Sequence, residues 1–193
     1  MCMTIPDVYI KNRCRACFSE SLNEVINLGL QPLANSFLRD VTQEEKKYPL
    51  KAVACSACGF VQLTHVVDPT ILYTDYVFCT ASSARMQEHF SSLMRNVAVG
   101  MQKTDLIVEI GSNDGSGLNS VVDRARVLGV DPSGVSSKVP VVPELFTENL
   151  AKDLVLDYGA ASAIIACNVL AHVDDLDDFL KGVYLLLMDT GLF

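Results

Sequence analysis

The chain has 193 residues, half of them hydrophobic, and its 15 Lys plus Arg against 23 Asp plus Glu leave a net charge of -8. That length allows one full domain or two small ones with a real core, and the acidic balance argues against a nucleic-acid partner, which needs clustered cations. No run of about 18 apolar residues suggests a membrane span, and the start, Met1 to Asp7, lacks the basic-then-apolar pattern of a secretion signal, so a cytoplasmic location is expected.

Seven cysteines are present. Four form two close pairs, Cys14-Arg15-Ala16-Cys17 and Cys55-Ser56-Ala57-Cys58-Gly59. Each pair can turn two thiolates toward one ion, and two pairs complete a tetrahedral sulfur shell. In a reducing compartment this spacing points to structural Zn(2+) held by Cys14, Cys17, Cys55 and Cys58 rather than to disulfides. The metal would replace a core that some 60 residues cannot easily supply. Between the pairs, Leu28 to Leu38 reads as loop followed by a short helix or extended segment. Tyr48 to Ala54 reads as a strand entering the second pair, and Phe60 to His65 as its hairpin partner. His65 is expected on the strand surface.

Asp68-Pro69-Thr70 starts a helix, with an Asp cap and Pro in the first turn. Tyr73, Tyr76 and Phe78 follow, either as packing between domains or as a wall facing a substrate. Ser82 to Val99 has helical spacing, with Phe90, Leu93, Met94 and Val97 on one side.

Beyond Gly100 strands and helices alternate. Leu106 to Ile110 is strand one, Gly117 to Ala125 a helix, and Arg126 to Val130 strand two. Val139 to Val142 is a short strand three, and Thr147 to Tyr158 a helix capped by Thr147. Ala163 to Cys167 is strand four, Asp174 to Leu187 a helix opened by aspartates, and Met188 to Gly191 a turn before a fifth strand begins at Leu192. This is the pattern of a parallel, doubly wound α/β sheet. Strand one ends in Glu109-Ile110-Gly111-Ser112-Asn113-Asp114-Gly115, a tight turn where glycine lets backbone approach a ligand. Its acidic residues disfavour phosphate and favour hydroxyl or cationic groups. Asp131 closes strand two, where a nucleotide fold receives ribose hydroxyls. The G-x-G-x-x-G of dinucleotide folds is absent. S-adenosylmethionine is the cofactor these features favour, with Glu109, Gly111, Asn113, Asp114, Gly115, Asp131 and Asn168 as candidate contacts.

Several segments together resemble the sugar C-methyltransferase family: Cys14 to Cys17 with Leu28 to Leu38, Cys55 to Leu63, Val108 to Gly115, Gly129 to Ser133, and Cys167 to Val173. The resemblance implies a small zinc-binding α+β domain over residues 1–68. A linking helical segment with substrate contacts would follow over 69–100. Residues 101–193 would be the amino-terminal portion of a class I S-adenosylmethionine-dependent, Rossmann-like methyltransferase domain. It implies C-methylation, through an enolate at C3, of a nucleotide-linked 4-keto-deoxysugar, with His172 and Tyr76 beside the sugar. The chain departs from the family in Val77 to Ser83. It also stops before the remaining strands and the expected Glu-His base segment, so it reads as truncated, with an open sheet edge after strand four suited to self-association. A catalytically inactive zinc-containing binding fragment is the alternative function.

Overall fold

The computed structural model describes residues 7–74 and 76–193. The reading of residues 1–6 lies outside them. The chain divides into two compact units, the first ending at Val77 and the second spanning Phe78–Phe193. The boundary falls inside the segment read as a linker.

In the first unit β1 (Val8–Ile10) pairs antiparallel with β5 (His65–Val67). A second sheet has the order β2 (Leu22–Pro32), β3 (Lys47–Cys55), β4 (Val61–Leu63), also antiparallel. Tyr48, Val53 and Cys55 of β3 turn inward. The expected strand from Phe60 to His65 is instead broken at Thr64. Its N–H donates to Lys51 of β3 and its carbonyl accepts from Lys11, so the chain changes sheets there. The stretch from Leu28 was expected to be loop, but β2 runs on to Pro32. Gly29, at φ +69°, lies within the register shift between Asn27 and Leu30, and its N–H donates to Asn27 Oδ1 at 3.0 Å. Glycine here makes a bulge within the strand rather than a loop. The helix α1 (Pro69–Tyr73) starts at Asp68, whose side chain accepts from Thr70 N at 2.8 Å.

The second unit opens with a 3-10 turn, Thr80–Ser82, and α2 (Ala84–Val97). A parallel sheet follows, built from β6 (Leu106–Ile110), β7 (Arg126–Val130), β8 (Val141–Val142), β9 (Ala161–Ile165) and β10 (Leu187–Leu192). Its order is β10-β9-β6-β7-β8, and the helices α3 (Glu148–Tyr158) and α4 (Leu176–Leu186) lie between its strands in sequence. The central strand β6 is buried along its whole length, which explains its unbroken apolar run around one acid. Leu106, Val108 and Ile110 join Leu150, Leu154, Phe179 and Leu186 in one core. Ile107 joins Met94, Leu118 and Val121 in a core on the other face. The fold is therefore the expected α/β parallel sheet of a partial class I methyltransferase, preceded by a small Cys-rich region.

Two local expectations are corrected. The helix expected from Gly117 to Ala125 is only a 3-10 turn, Leu118–Val121. Ser120 Oγ bonds back to the Gly117 carbonyl at 2.7 Å, and Gly, Asn and Ser are weak helix formers. Leu118 and Val121 are nonetheless fully buried. The predicted turn at Met188 to Gly191 is strand: Leu187 leaves α4 directly into β10, which pairs parallel with β9. The sheet edge on that side is β10, which takes in the start of the fifth strand expected at Leu192. Among the described residues no helix is long and apolar enough to cross a membrane.

Candidate cofactor turn and cysteine cluster

The first cysteine pair lies in the turn between β1 and β2, and the second at the β3–β4 hairpin. Each pair is built the same way. Phe18 N donates to Cys14 O at 2.9 Å and Gly59 N to Cys55 O at 2.8 Å, and both residues that close these turns have positive φ, 61° and 78°. The outgoing chain then returns to the first cysteine: Cys14 N donates to Ser19 O and Cys55 N to Phe60 O, both at 2.8 Å. Gln62, buried on β4, accepts from Arg15 N at 2.8 Å and donates to Arg13 O at 2.9 Å, which ties the first turn to the second sheet.

Sulfurs of Cys14 and Cys58 lie 3.6 Å apart, as do those of Cys17 and Cys55, and all four fall within 4.8 Å of one another. A zinc tetrahedron with Zn–S near 2.3 Å has sulfur–sulfur edges of about 3.8 Å, so the cluster fits the ion. Burial opposes a thiolate at Cys55, but the N–H groups of Cys58 and Ala57 prevail and lower its pKa to about 6, while at Cys17 the Ser19 backbone bond is outweighed by the neighbouring sulfurs and the thiol is pushed up. Four thiolates leave no open position for substrate, which suits a structural ion. His65 stands apart from the cluster, with Nδ1 at 2.9 Å from Thr64 Oγ1.

In the second unit β6 delivers Glu109 and the glycine turn to the carboxyl edge of the sheet, beside Asp131 at the end of β7. Gly111 has φ +72°, and a Cβ there would meet the side chain of Val169 from the loop after β9. Gly115, at φ +69°, would set a Cβ 2.5 Å from both Ser137 Oγ and Val139 Cγ2. Both positions therefore demand glycine for conformation and for space. Asp131 Oδ2 accepts from Asn113 N at 2.7 Å, and Oδ1 from Ser133 N at 2.9 Å. Each oxygen keeps a lone pair for a ligand. A cavity of about 280 Å³ opens here, lined by Asn113, Asp131, Ser133, Ser137, Val141 and neighbours.

Glu109 is 4% exposed, and its Oε2 has no hydrogen-bond partner among the described residues. Burial, then the nearby charges of Asp114 and Asp131, push its pKa up to about 8. A buried, unsatisfied acid is costly to keep without a compensating partner. It is consistent with a site that receives a polar, cationic ligand. Burial disfavours the charged form of Asp114 as well, but hydrogen bonds from Cys79, Ser116 and Ala81 outweigh it and hold the carboxylate below its ordinary range. Cys167, half-buried, is pushed up by burial and by Glu109.

The remaining sequence-selected residues are distributed as follows. Asn168 is exposed, with φ 56° in the loop after β9. His172 is exposed in a 3-10 turn, Leu170–His172, on that same carboxyl edge, and its N–H donates to Val169 O at 2.8 Å. Tyr76 belongs to the first unit; its ring meets Tyr73 edge-on at 6.2 Å, and Asn35 Nδ2 donates to its hydroxyl at 3.2 Å. Sequence alone does not show that Cys79, Thr80 and Ala81, with the carbonyl of Phe78, hydrogen-bond the turn through Asn113 and Asp114. The only sequence signal was that this stretch departs from the expected aromatic, serine-rich pattern. Ser133 was also overlooked, although Asp-Pro-Ser is a recognisable turn signal.

Sheet order, glycine turn and acidic strand end together define an S-adenosylmethionine-methyltransferase-like α/β domain, carried behind a Cys-cluster zinc-binding region. A family model described as "Putative zinc binding domain" matches residues 14–73. The chain is related to C-methyltransferase NovU of Streptomyces niveus, with 31% identity over 193 aligned residues that take in 94% of this chain and 46% of the relative. It thus spans less than half the length of that curated relative.

Proposed function

We propose that the full-length protein is an S-adenosylmethionine-dependent C-methyltransferase acting on a nucleotide-linked 4-keto-deoxysugar, at C3 through an enolate, in the cytoplasm. The observation that carries this reading is the buried acid Glu109 and the carboxylate Asp131, flanking a glycine turn at the carboxyl edge of a parallel sheet. That is where open α/β sheets bind nucleotides. The relative's name adds C-methylation as the reaction type.

Asp131 would accept the two ribose hydroxyls with the lone pairs its backbone partners leave free. The adenosine would occupy the cavity between Asp131 and Val141. Glu109 would face the cationic end of the ligand, and Gly111, Gly115 and the Asn113 backbone would allow close approach. Asn168 would complete the site from the loop after β9. When bound, S-adenosylmethionine supplies an electrophilic methyl group. The protein must then remove the acidic proton beside a keto group, stabilise the enolate oxygen and hold the carbon nucleophile in line. His172, exposed on the carboxyl edge, has the chemistry to carry a proton or donate a hydrogen bond to that oxygen. Tyr76 is proposed to contact the sugar with its phenol, and the zinc to hold the fold rather than react.

Titration calorimetry with S-adenosylhomocysteine tests the cofactor half. Asp131→Ala is expected to weaken binding by about 1–3 kcal/mol, the range for a hydrogen-bonded charged acceptor. Unchanged affinity would remove Asp131 from the site. The sugar half is tested in a polypeptide that spans the length of the matched relative. There, His172→Ala should slow C3 proton exchange and methyl transfer while S-adenosylhomocysteine affinity holds; parental rates would make His172 structural.

A further inference from the structure

The side chains of Asn113 and Asp114 are spent on another segment. Asn113 Oδ1 accepts from Thr80 N at 2.9 Å and Thr80 Oγ1 at 3.3 Å, while its Nδ2 donates to Phe78 O at 2.9 Å. Asp114 Oδ2 accepts from Ala81 N at 2.6 Å and Cys79 Sγ at 3.0 Å, and Oδ1 accepts from Ser116 N at 2.9 Å. Asn113, Asp114 and Thr80 are all buried. The amide of Asn113 is thereby engaged at both ends, and so are both oxygens of Asp114. Meanwhile the Asn113 backbone N–H is the donor to Asp131. One residue therefore joins the carboxylate at the end of β7 to the strap of residues 78–82, which follows Tyr76 by two positions in the chain.

We propose that Asn113 and Asp114 are positioning residues: they fasten the 78–82 strap onto the glycine turn, so that ligand held by Asp131 steadies the strap that follows Tyr76. The proposal rests on the cofactor reading for its ligand, and on the hydrogen bonds alone for the fastening. Two features support it. Asn113 adopts φ 51°, a left-handed conformation that Asn tolerates better than most residues and that turns its amide toward the strap. Cys79 is half-buried and shares the Asp114 oxygen with Ala81, so its thiol reports the fastening. The hydrogen bond to Asp114 and burial push the Cys79 thiol up, against the backbone N–H groups of Ala81 and Ser82.

The test reads amide hydrogen exchange at Thr80 and Ala81 in the whole chain, alone and with S-adenosylhomocysteine, and the pH dependence of iodoacetamide labelling at Cys79. Both amides should exchange slowly in the parental chain, and more slowly with the nucleoside. Asn113→Ala should speed Thr80 exchange about tenfold, near what the loss of one hydrogen bond allows, while amides of β9 hold. Asp114→Asn removes the charge beside the thiol, so the labelling midpoint of Cys79 should fall. Free-chain exchange in the parental protein, or an unmoved midpoint in folded Asp114→Asn, would overturn the proposal. Should Asp114→Asn not fold, Asn113→Ala decides: exchange at Thr80 that stays at the parental rate in that variant counts against the fastening. If S-adenosylhomocysteine fails to bind the parental chain, the cofactor reading and the coupling fall together, and the amides without ligand still judge the fastening.

Discussion

The two units are stabilised by different physics. In the second, a fully buried central strand is packed on both faces, and Phe179, Met94, Leu106, Leu128 and Leu186 are almost wholly removed from water. In the first, the buried apolar side chains among the described residues are Cys14, Tyr48, Val53, Cys55 and Val66, and two of these belong to the cysteine cluster. Its strand β2 is exposed almost throughout, with Val25, Ile26, Leu28 and Leu30 facing solvent. A unit with so little core needs another source of cohesion. A zinc ion held by the sulfur tetrahedron would supply it by joining two distant CxxC turns.

That contrast is broken most directly at the metal. Cys55→Ser should abolish zinc retention and unfold the first unit, because structural zinc contributes roughly 10–16 kcal/mol of apparent binding energy to folding. Metal analysis with limited proteolysis would read this, and the second unit should stay protected. Its collapse together with the first would show that the two do not have separate cores. The converse is Phe179→Ala. It removes a ring 5.3 Å from Phe146 in the buried core and should cost about 3–5 kcal/mol in urea unfolding, with zinc content unaltered.

A pH experiment sharpens the view of the second unit. Glu109 has its folded pKa raised to about 8 from an ordinary 4.5. The folded state therefore binds the proton more tightly than the unfolded one. The stability contributed is fully present below the ordinary value and is lost as pH rises through about 8. Urea melts at several pH values should show that decline in the parental chain and a flatter profile in Glu109→Gln, the difference isolating this one acid. The smallest effect is expected on the surface of α3. There Lys152 lies 2.6 Å from Glu148 one turn earlier, and Lys152→Ala should change stability by about 0.5 kcal/mol or less.

Much of this was legible in the chain. The limits of β6 and β7 follow from largely apolar runs ended by turn residues, the starts of α1 and α3 from Asp68 and Thr147, and α4, expected from Asp174, begins at Leu176 behind its cap Asp175. These are local signals, and they hold because caps and buried strands are decided within a few residues. The errors came where a glycine or a short run had two uses. Gly29 makes a bulge inside β2 where loop was expected, Thr64 divides one apparent strand between two sheets, and Leu118 to Val121 is too rich in cap-forming neighbours to propagate a helix. Met188 to Gly191 reads as a turn by composition, yet pairing with β9 makes it strand.

The spacing of the cysteines determined by itself that a four-sulfur site can form, since CxxC geometry is local to each pair. The glycine turn and Asp131 were likewise readable, because a strand that ends in glycine beside an acid has few physical explanations. What only the tertiary structure decided is how the turn's polar side chains are spent. Asn113 and Asp114 look like ligand contacts in sequence, but they hold Phe78 to Ala81, more than 30 residues earlier in the chain. No local pattern encodes that pairing. A hydrogen bond between distant segments is settled by which backbone groups the fold buries side by side, and burial forces each of them to find a partner.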